Sequence, residues 1–405
     1  MGRSLNVTVV GQGYVGLPLA MSLCDVGRKV FGVEITPEKL ARLAEGNSPI
    51  EDILSSKLRE HLSKGNYIPT NSFEVVADSA TVIICVPTPL GDDRNPDLTY
   101  LKSAVSSIAE FVQDDTLLIN ESTSYVGTVR EVICPIVQER QPKIKVHYAS
   151  APERIDPRNK TWNIKNTPRL VAGMDKESLE RATRLYTSIC SSVVPIEKIE
   201  IVEMAKLLEN SFRLVNIALI NDLAKVASSY GVDIEEVVDA ASSKPYGFMP
   251  FHAGLGVGGH CIPVDPLYLT WSAKKVGLKS KLIEVADQIN RKRTQEVANR
   301  VRKDFPTSVR IRVVGIAYKQ GISDTRESPS VELIGLLREV GYEVTWTDGI
   351  VEKWNGEVSE VNKDFDLLIY VHGDLNFEIQ ELISDGKGIY DLSGKFRNIL
   401  GVVRP

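Results

Sequence analysis

The sequence predicts an α/β protein: two doubly wound parallel sheets joined by a helical region with one long helix. Three observations predict it. A β-branched run at 5–10 leads into Gly11, Gly13 and Gly16, then a helical pattern, then a second apolar run at 29–33. Residues 199–230 keep a helical pattern without a Gly or Pro until Gly231 supplies a stop. At 309–315, Val-Arg-Ile-Arg-Val-Val-Gly restarts the strand-then-glycine pattern of the first residues. A chain of 405 residues is expected to form two or three domains. The shifts in pattern put them at 1–196, 197–305 and 306–405.

In the first segment the helical pattern of Leu17, Leu19, Ala20, Leu23 and Cys24 breaks at Gly27, and the run 29–33 ends at Glu34. That is a βαβ unit. Apolar runs at 81–86, 116–120 and 145–149 read as further buried strands of a parallel sheet. Helical stretches at 100–112 and 127–138 separate them, and the alternation is that of a doubly wound fold. In the middle, helices at 234–241 and 281–303 flank a glycine-rich loop. The last segment reads as strands at 309–315, 343–347, 366–371 and 388–391 with a helix at 331–340. It is a second Rossmann-like domain without the full glycine pattern, since Ile316, Ala317 and Tyr318 follow Gly315.

A composition of 43% hydrophobic and 25% charged residues is that of a globular protein, and a net charge of −5 gives no electrostatic case for nucleic acid or a membrane surface. Five scattered cysteines without a C-x-x-C pair predict reduced thiols and a cytoplasmic setting. No secretory leader is expected at the start, no myristoylation with Asn6 at the decisive position, and no membrane span.

Gly11-x-Gly13-x-x-Gly16 after a strand, with an acid about 20 residues on, is a dinucleotide fingerprint. The glycines allow backbone to approach a pyrophosphate, and Glu34 suits a ribose diol while repelling a 2′-phosphate, which predicts NAD. Cys85-Val-Pro-Thr-Pro89, Glu121-Ser-Thr-Ser124 and Pro152-Glu153-Arg154 each follow a strand, where such sheets bind ligands. Lys206, Asn210 and Arg213 share a helical face flanked by apolar residues. Gly254-Leu-Gly-Val-Gly-Gly-His-Cys261 places a cysteine after a flexible loop, a candidate nucleophile, with Asp265 four residues on. No P-loop or zinc spacing is present, so no metal is expected. From the residues alone three readings stay open: a cysteine-dependent dehydrogenase, a two-electron dehydrogenase needing no cysteine, and a binding protein that senses nucleotide or sugar.

Through Gly-Gln-Gly-Tyr-Val-Gly, Cys-Val-Pro-Thr-Pro, Pro-Glu-Arg-Ile, Glu-Met-Ala-Lys-Leu-Leu-Glu-Asn, Gly-Gly-His-Cys-Ile-Pro-Val-Asp-Pro and Gly-Ile-Ala-Tyr-Lys…Asp-Thr-Arg-Glu-Ser-Pro, the chain resembles the UDP-glucose/GDP-mannose dehydrogenase family over its whole length. The resemblance implies an NAD-binding domain, a helical dimerisation core and a UDP-binding C-terminal domain. It implies four-electron oxidation of a sugar C6 hydroxyl through a cysteine thiohemiacetal and thioester. Cys261 resembles the nucleophile, Lys206 and Asn210 the groups at the reacting oxygen, and Asp265 the acid that helps activate water. Glu153 and Thr123 resemble the groups that hold a water. Cofactor contacts are expected at Gly11, Gly13, Tyr14, Val15, Gly16, Glu34, Lys39, Thr88, Thr123 and Arg326. Substrate contacts are expected at Arg154, Ile155, Lys206, Asn210, Arg213, Phe251, Gly258, Tyr318 and Lys319. The stretch from Lys244 to Gly256 is similar to the UDP-N-acetylglucosamine 6-dehydrogenase branch. UDP-N-acetylmannosamine enzymes tend to carry an arginine where this sequence has Gly247, and the UDP-glucose branch is a further alternative. The implied setting is synthesis of bacterial surface-polysaccharide precursors by a homodimer or larger assembly.

Overall fold

A computed structural model describes residues 5–156, 159, 161–360, 364–373 and 377–404. Residues 1–4, where the leader and myristoylation readings begin, lie outside the described residues. The chain divides into two compact units, Met1–Leu208 with Trp271–Val276, and Glu209–Thr270 with Gly277–Pro405.

Among the described residues the first unit carries an eight-stranded sheet: β1 (Val7–Val10), β2 (Val30–Val33), β3 (Tyr67–Thr70), β4 (Thr81–Ile84), β5 (Thr116–Asn120), β6 (Val146–Ser150), β7 (Arg169–Gly173) and β8 (Val193–Ile196). The order is β3-β2-β1-β4-β5-β6-β7-β8. Strands β1, β2 and β5 are buried at every position, as strands covered on both faces must be. Helix Thr99–Phe111 buries Leu101, Ala104, Val105, Ile108 and Ala109, one face of a 3.6-residue repeat.

The strands expected from the sequence pair in parallel, and two features refine that picture. The sheet is not wholly parallel, because β7 runs antiparallel to β6. A parallel return needs a crossover element, and the segment 151–168 forms no helix among its described residues. The helix expected over 127–138 is a π turn at Val129–Ile133 followed by an α-helix at Cys134–Arg140. Pro135 sits in the first turn of that helix and has no N–H to continue the earlier hydrogen-bond ladder.

The long helix is Ile199–Ser229, and the unit boundary falls within it. The second unit holds its later turns, the helices Ile234–Ser242 and Lys281–Asp304, and a parallel sheet. The strands are β9 (Ile311–Val314), β10 (Val344–Thr347), β11 (Lys353–Trp354), β12 (Glu357–Val358), β13 (Leu367–Tyr370), β14 (Gly388–Asp391) and β15 (Val402–Val403). The sheet order is β10-β9-β13-β14-β15, and β11–β12 is a separate hairpin. That hairpin turns at Asn355 and Gly356, both at positive φ (48° and 82°), as a two-residue turn of this hand requires. Val313, Leu333, Leu337, Trp346 and Leu367 centre the core of this unit.

Candidate cofactor and catalytic residues

The nucleotide fingerprint lies at the carboxyl end of β1, beside β4. Gly11 has φ +91°, and a Cβ there would stand 2.4 Å from the Cys85 carbonyl oxygen. A Cβ on Gly16 would meet the Gly11 oxygen at 1.9 Å, whereas one on Gly13 would meet nothing within 4 Å. Two glycines are thus required by the turn, and the third leaves its outer side open. Helix Gly16–Asp25 begins at Val15 without a side-chain cap or an acid in its first turn, so its N–H groups suit a pyrophosphate. Glu34, at the end of β2, is buried. Its carboxylate accepts hydrogen bonds from the Thr36 N–H (2.9 Å) and the Gln12 N–H (3.3 Å), and Lys39 lies 3.6 Å away. The Tyr14 hydroxyl donates to Glu51 at 2.9 Å. A compact turn, an uncapped helix and a fixed acid together fit NAD.

The loops after β4 and β5 join next to this turn. The Ser122 hydroxyl accepts from the Val86 N–H and donates to the Val86 carbonyl, each at 2.9 Å. Thr88 is buried and Thr123 half-buried. After β6, both oxygens of Glu153 are engaged. Oε1 accepts from the Arg154 and Ile155 N–H groups at 2.6 and 2.8 Å, and Oε2 accepts from Arg169 Nη1 at 2.7 Å. Arg169 Nη2 donates to Glu121 Oε1 at 2.7 Å, and the Tyr186 hydroxyl donates to the same oxygen. Burial alone would raise the pKa of Glu153, but the charge and hydrogen bond of Arg169, the Arg154 N–H and Lys206 hold it below the usual range. Burial pushes Glu121 up to about 7, because Arg169 offsets only part of that cost and Glu153 adds to it. Arg154 turns its guanidinium to the Pro168 carbonyl at 2.9 Å.

On the long helix Lys206 and Asn210 are buried, as the polar-stripe reading expects, but Arg213 is exposed. Of the flanking apolar residues Leu207 and Leu214 are buried, whereas Leu208 and Phe212 are exposed. Within the second unit, Asn210 Nδ2 donates to Asp265 Oδ2 at 2.5 Å. The Asp265 N–H in turn donates to the Cys261 carbonyl at 2.9 Å, in the turn that opens helix Asp265–Lys275. Cys261 is exposed, in contrast to buried Cys24, Cys134 and Cys190 and half-buried Cys85. Burial pushes the Cys24 thiol up to about 12 and Cys190 to about 11, so both stay protonated.

The glycine-rich loop is shaped by its own neighbours. A Cβ on Gly256 would meet the Asn290 carbonyl at 2.8 Å, and one on Gly258 the Tyr318 Cβ at 2.9 Å. A Cβ on Gly259, at φ +80°, would meet the Tyr318 ring at 2.6 Å, while one on Gly254 would meet nothing within 4 Å. Lys319, next in sequence, is half-buried. Phe251 meets the ring of Phe212 edge-on, with centroids 5.7 Å apart. Arg326 is exposed and paired with Asp324 at 2.5 Å. Burial, then the charge of Arg326, lowers the pKa of His260.

Sequence reasoning missed the ionic group around Arg169. Its one signal is a charged residue heading the apolar run Arg-Leu-Val-Ala-Gly. It also missed Glu203, which accepts from the Gly127 and Val129 N–H groups at 2.6 and 3.2 Å.

The chain matches three models of the UDP-glucose/GDP-mannose dehydrogenase family: the NAD binding domain over residues 5–190, the central domain over 200–292 and the UDP binding domain over 312–391. It is 32% identical over 395 residues to a UDP-N-acetyl-D-mannosamine dehydrogenase of Pyrococcus horikoshii, covering 95% of this chain and 93% of that one. It is also 32% identical over 355 residues to a UDP-N-acetyl-D-glucosamine 6-dehydrogenase of Pseudomonas aeruginosa, covering 84% and 82%. The solved structure of a P. horikoshii UDP-D-ManNAc dehydrogenase aligns with a TM-score of 0.85 at 30% identity, over 95% of this chain and 94% of that one.

Proposed function

Because this chain belongs to the UDP-glucose/GDP-mannose dehydrogenase family, an NAD-dependent family of nucleotide-sugar dehydrogenases, we propose that it oxidises the C6 hydroxyl of a UDP-N-acetylhexosamine to the uronic acid. UDP-N-acetylglucosamine is the foremost candidate, on the family-like stretch from Lys244 to Gly256. The mannosamine epimer is the second reading, favoured by the name of the P. horikoshii relative. The observation that carries the chemistry is Cys261: exposed, in a turn closed by Asp265, whose carboxylate is held by Asn210.

The fingerprint would hold NAD, and two NAD molecules bound in turn would each take one hydride from C6. The chain's own residues supply the rest. Lys206 and Asn210 donate to the C6 oxygen as negative charge develops on it. Attack of the Cys261 sulfur on the aldehyde gives a thiohemiacetal, which retains the intermediate and can lose the second hydride. Water then adds to the thioester, and Cys261 leaves as a thiolate. Asp265 takes part in activating that water, and Glu153 and Thr123 hold it. Gly11, Gly13, Tyr14, Val15, Gly16, Glu34, Lys39, Thr88 and Arg326 serve the cofactor. Arg154, Ile155, Arg213, Phe251, Gly258, Tyr318 and Lys319 serve the sugar nucleotide. In this reading residues 1–196, 197–305 and 306–405 are the NAD, dimerisation and UDP segments of a cytoplasmic homodimer that makes surface-polysaccharide precursors.

Purified protein supplied with NAD and, in parallel, UDP-N-acetylglucosamine, UDP-N-acetylmannosamine and UDP-glucose tests the proposal by NADH yield and product mass. The glucosamine substrate is expected to turn over fastest. Faster turnover of UDP-glucose would refute the N-acetylhexosamine assignment, and faster turnover of the mannosamine epimer would replace the first reading with the second.

A further inference from the structure

We infer that Arg169 is a positioning residue for the reaction: its guanidinium, anchored from behind by Glu121 and Tyr186, fixes the orientation and charge of Glu153. The inference rests on the reading that Glu153 holds the water that reacts with the thioester.

The antiparallel turn of the sheet creates this arrangement. Because β7 pairs with β6 in the register Ala149↔Gly173 and Ser150↔Ala172, the first residue of β7 emerges at the end where β5 and β6 finish. Glu121 directly follows β5, and Glu153 comes three residues after β6. Arg169 stands between them and gives one terminal nitrogen to each, both at 2.7 Å. Its guanidinium also stacks near the Tyr186 ring, 4.9 Å from the centroid. Arg169, Glu121 and Tyr186 are all buried. A planar fork can serve two carboxylates at once in fixed directions, and the point charge of a lysine cannot.

The two acids are not equivalent. Glu153 receives two backbone N–H groups besides Arg169, and lies within the field of Lys206. Among the described residues Glu121 has only Arg169 and the Tyr186 hydroxyl as side-chain partners, both on Oε1, and none on Oε2. Shared in this way, Arg169 keeps Glu153 ionised while Glu121 takes up the proton first. Among the described residues Cys85 and Cys190 also lie within the field of Glu153, and both are protonated because burial raises them. A carboxylate already pinned on both oxygens can accept a hydrogen bond from water in one direction without reorganising, which is what a water-holding group requires.

The test uses the full-length enzyme and separates hydride transfer from thioester hydrolysis. The NADH burst reports the first, and intact mass of the acyl-enzyme and steady-state acid release report the second, each as a function of pH. Arg169→Lys is expected to move the acidic limb of acid release upward by about one pH unit. Acyl-enzyme should accumulate, with KM for sugar and NAD changed by less than about twofold. Glu121→Gln removes the competing carboxylate and should move the same limb downward. A residue that merely supported the fold would lower the rate at every pH and would not move the limb in opposite directions. If both variants keep the wild-type limb, the role of Arg169 is refuted. If Arg169→Lys does not fold, Glu121→Gln decides alone, and an unmoved limb in that variant is the overturning result. Glu153→Gln separates the underlying reading: wild-type acyl-enzyme lifetime and an unchanged limb in that variant would remove Glu153 from the chemistry altogether.

Discussion

In the proposed reading Glu34 selects NAD over NADP. Its carboxylate is buried at the end of β2 and oriented by two backbone N–H groups, so it cannot swing away from an incoming phosphate. Placing like charges together costs several kcal/mol. NAD is therefore expected to exceed NADP in kcat/KM by at least about a hundredfold, and Glu34→Ser should narrow the gap by at least about tenfold. An NADP preference in the wild type would refute this role. Glu203 gives a second test at the same scale. Burial is the main reason its pKa is raised from 4.5 to about 7, despite two backbone N–H groups that favour the anion. A carboxyl whose folded pKa is raised binds its proton more tightly when folded. Its contribution is thus full below about 4.5 and is lost as pH rises toward 7. Glu203→Gln keeps an acceptor for the Gly127 and Val129 N–H groups and carries no charge. Its melting temperature should fall less between pH 5 and 8 than that of the wild type. Parallel Tm–pH curves would contradict the assignment.

Among the elements, the glycine-rich loop depends on a buried amide chain. Asn221 Oδ1 accepts from the Gly254 N–H at 2.9 Å, and its Nδ2 donates to Asn290 Oδ1 at 3.0 Å. Asn290 in turn donates to the Leu214 carbonyl at 3.1 Å. Asn221→Ala would leave the Gly254 N–H and an Asn290 oxygen unpaired, and should cost about 2–3 kcal/mol of stability by denaturant unfolding. A loss below about 0.5 kcal/mol would show that the loop is held otherwise. This chain was not legible in the sequence, where two asparagines in helices look like solvated polar positions. Strands with continuous apolar runs were legible, and β5 and β14 lie where their residues place them. Strand β3 contains Pro69 and β8 contains Pro195, and both β3 and β8 lie at sheet edges, where the apolar signal is weakest. The reversal at β7 was hidden because direction is set by the path of the intervening chain, which composition does not record. For the same reason Glu153 could be picked out next to a strand end, while its partner Arg169 could not.

For the whole molecule, the long helix carries an exposed apolar stripe: Ile201, Met204, Leu208, Phe212, Leu219, Leu223 and Val226 are each 41–60% exposed. Apolar residues at this spacing on one helix suit pairing with a second copy of the chain. Leu219→Glu with Leu223→Glu should convert a dimer to monomers in light scattering, and wild-type protein that is monomeric and active would refute the pairing. No helix among the described residues is long and apolar enough to cross a membrane. The family, its NAD domain and its UDP domain were legible because each has an ordered motif. The sugar was not: the one departure the resemblance singles out is Gly247, and it stands at φ +71°, a backbone conformation that a side chain rarely adopts.

In the proposed mechanism Cys261 carries the sugar between two oxidations. Its most direct test counts NADH against sugar and weighs the enzyme in the same reaction. Wild type should form about two NADH per sugar and release only the acid, following the covalent route. Cys261→Ala should retain some aldehyde formation but no net acid, and Cys261→Ser should trap a covalent ester visible by mass. Acid formed by Cys261→Ala with wild-type stoichiometry at a near-normal rate would contradict the claim.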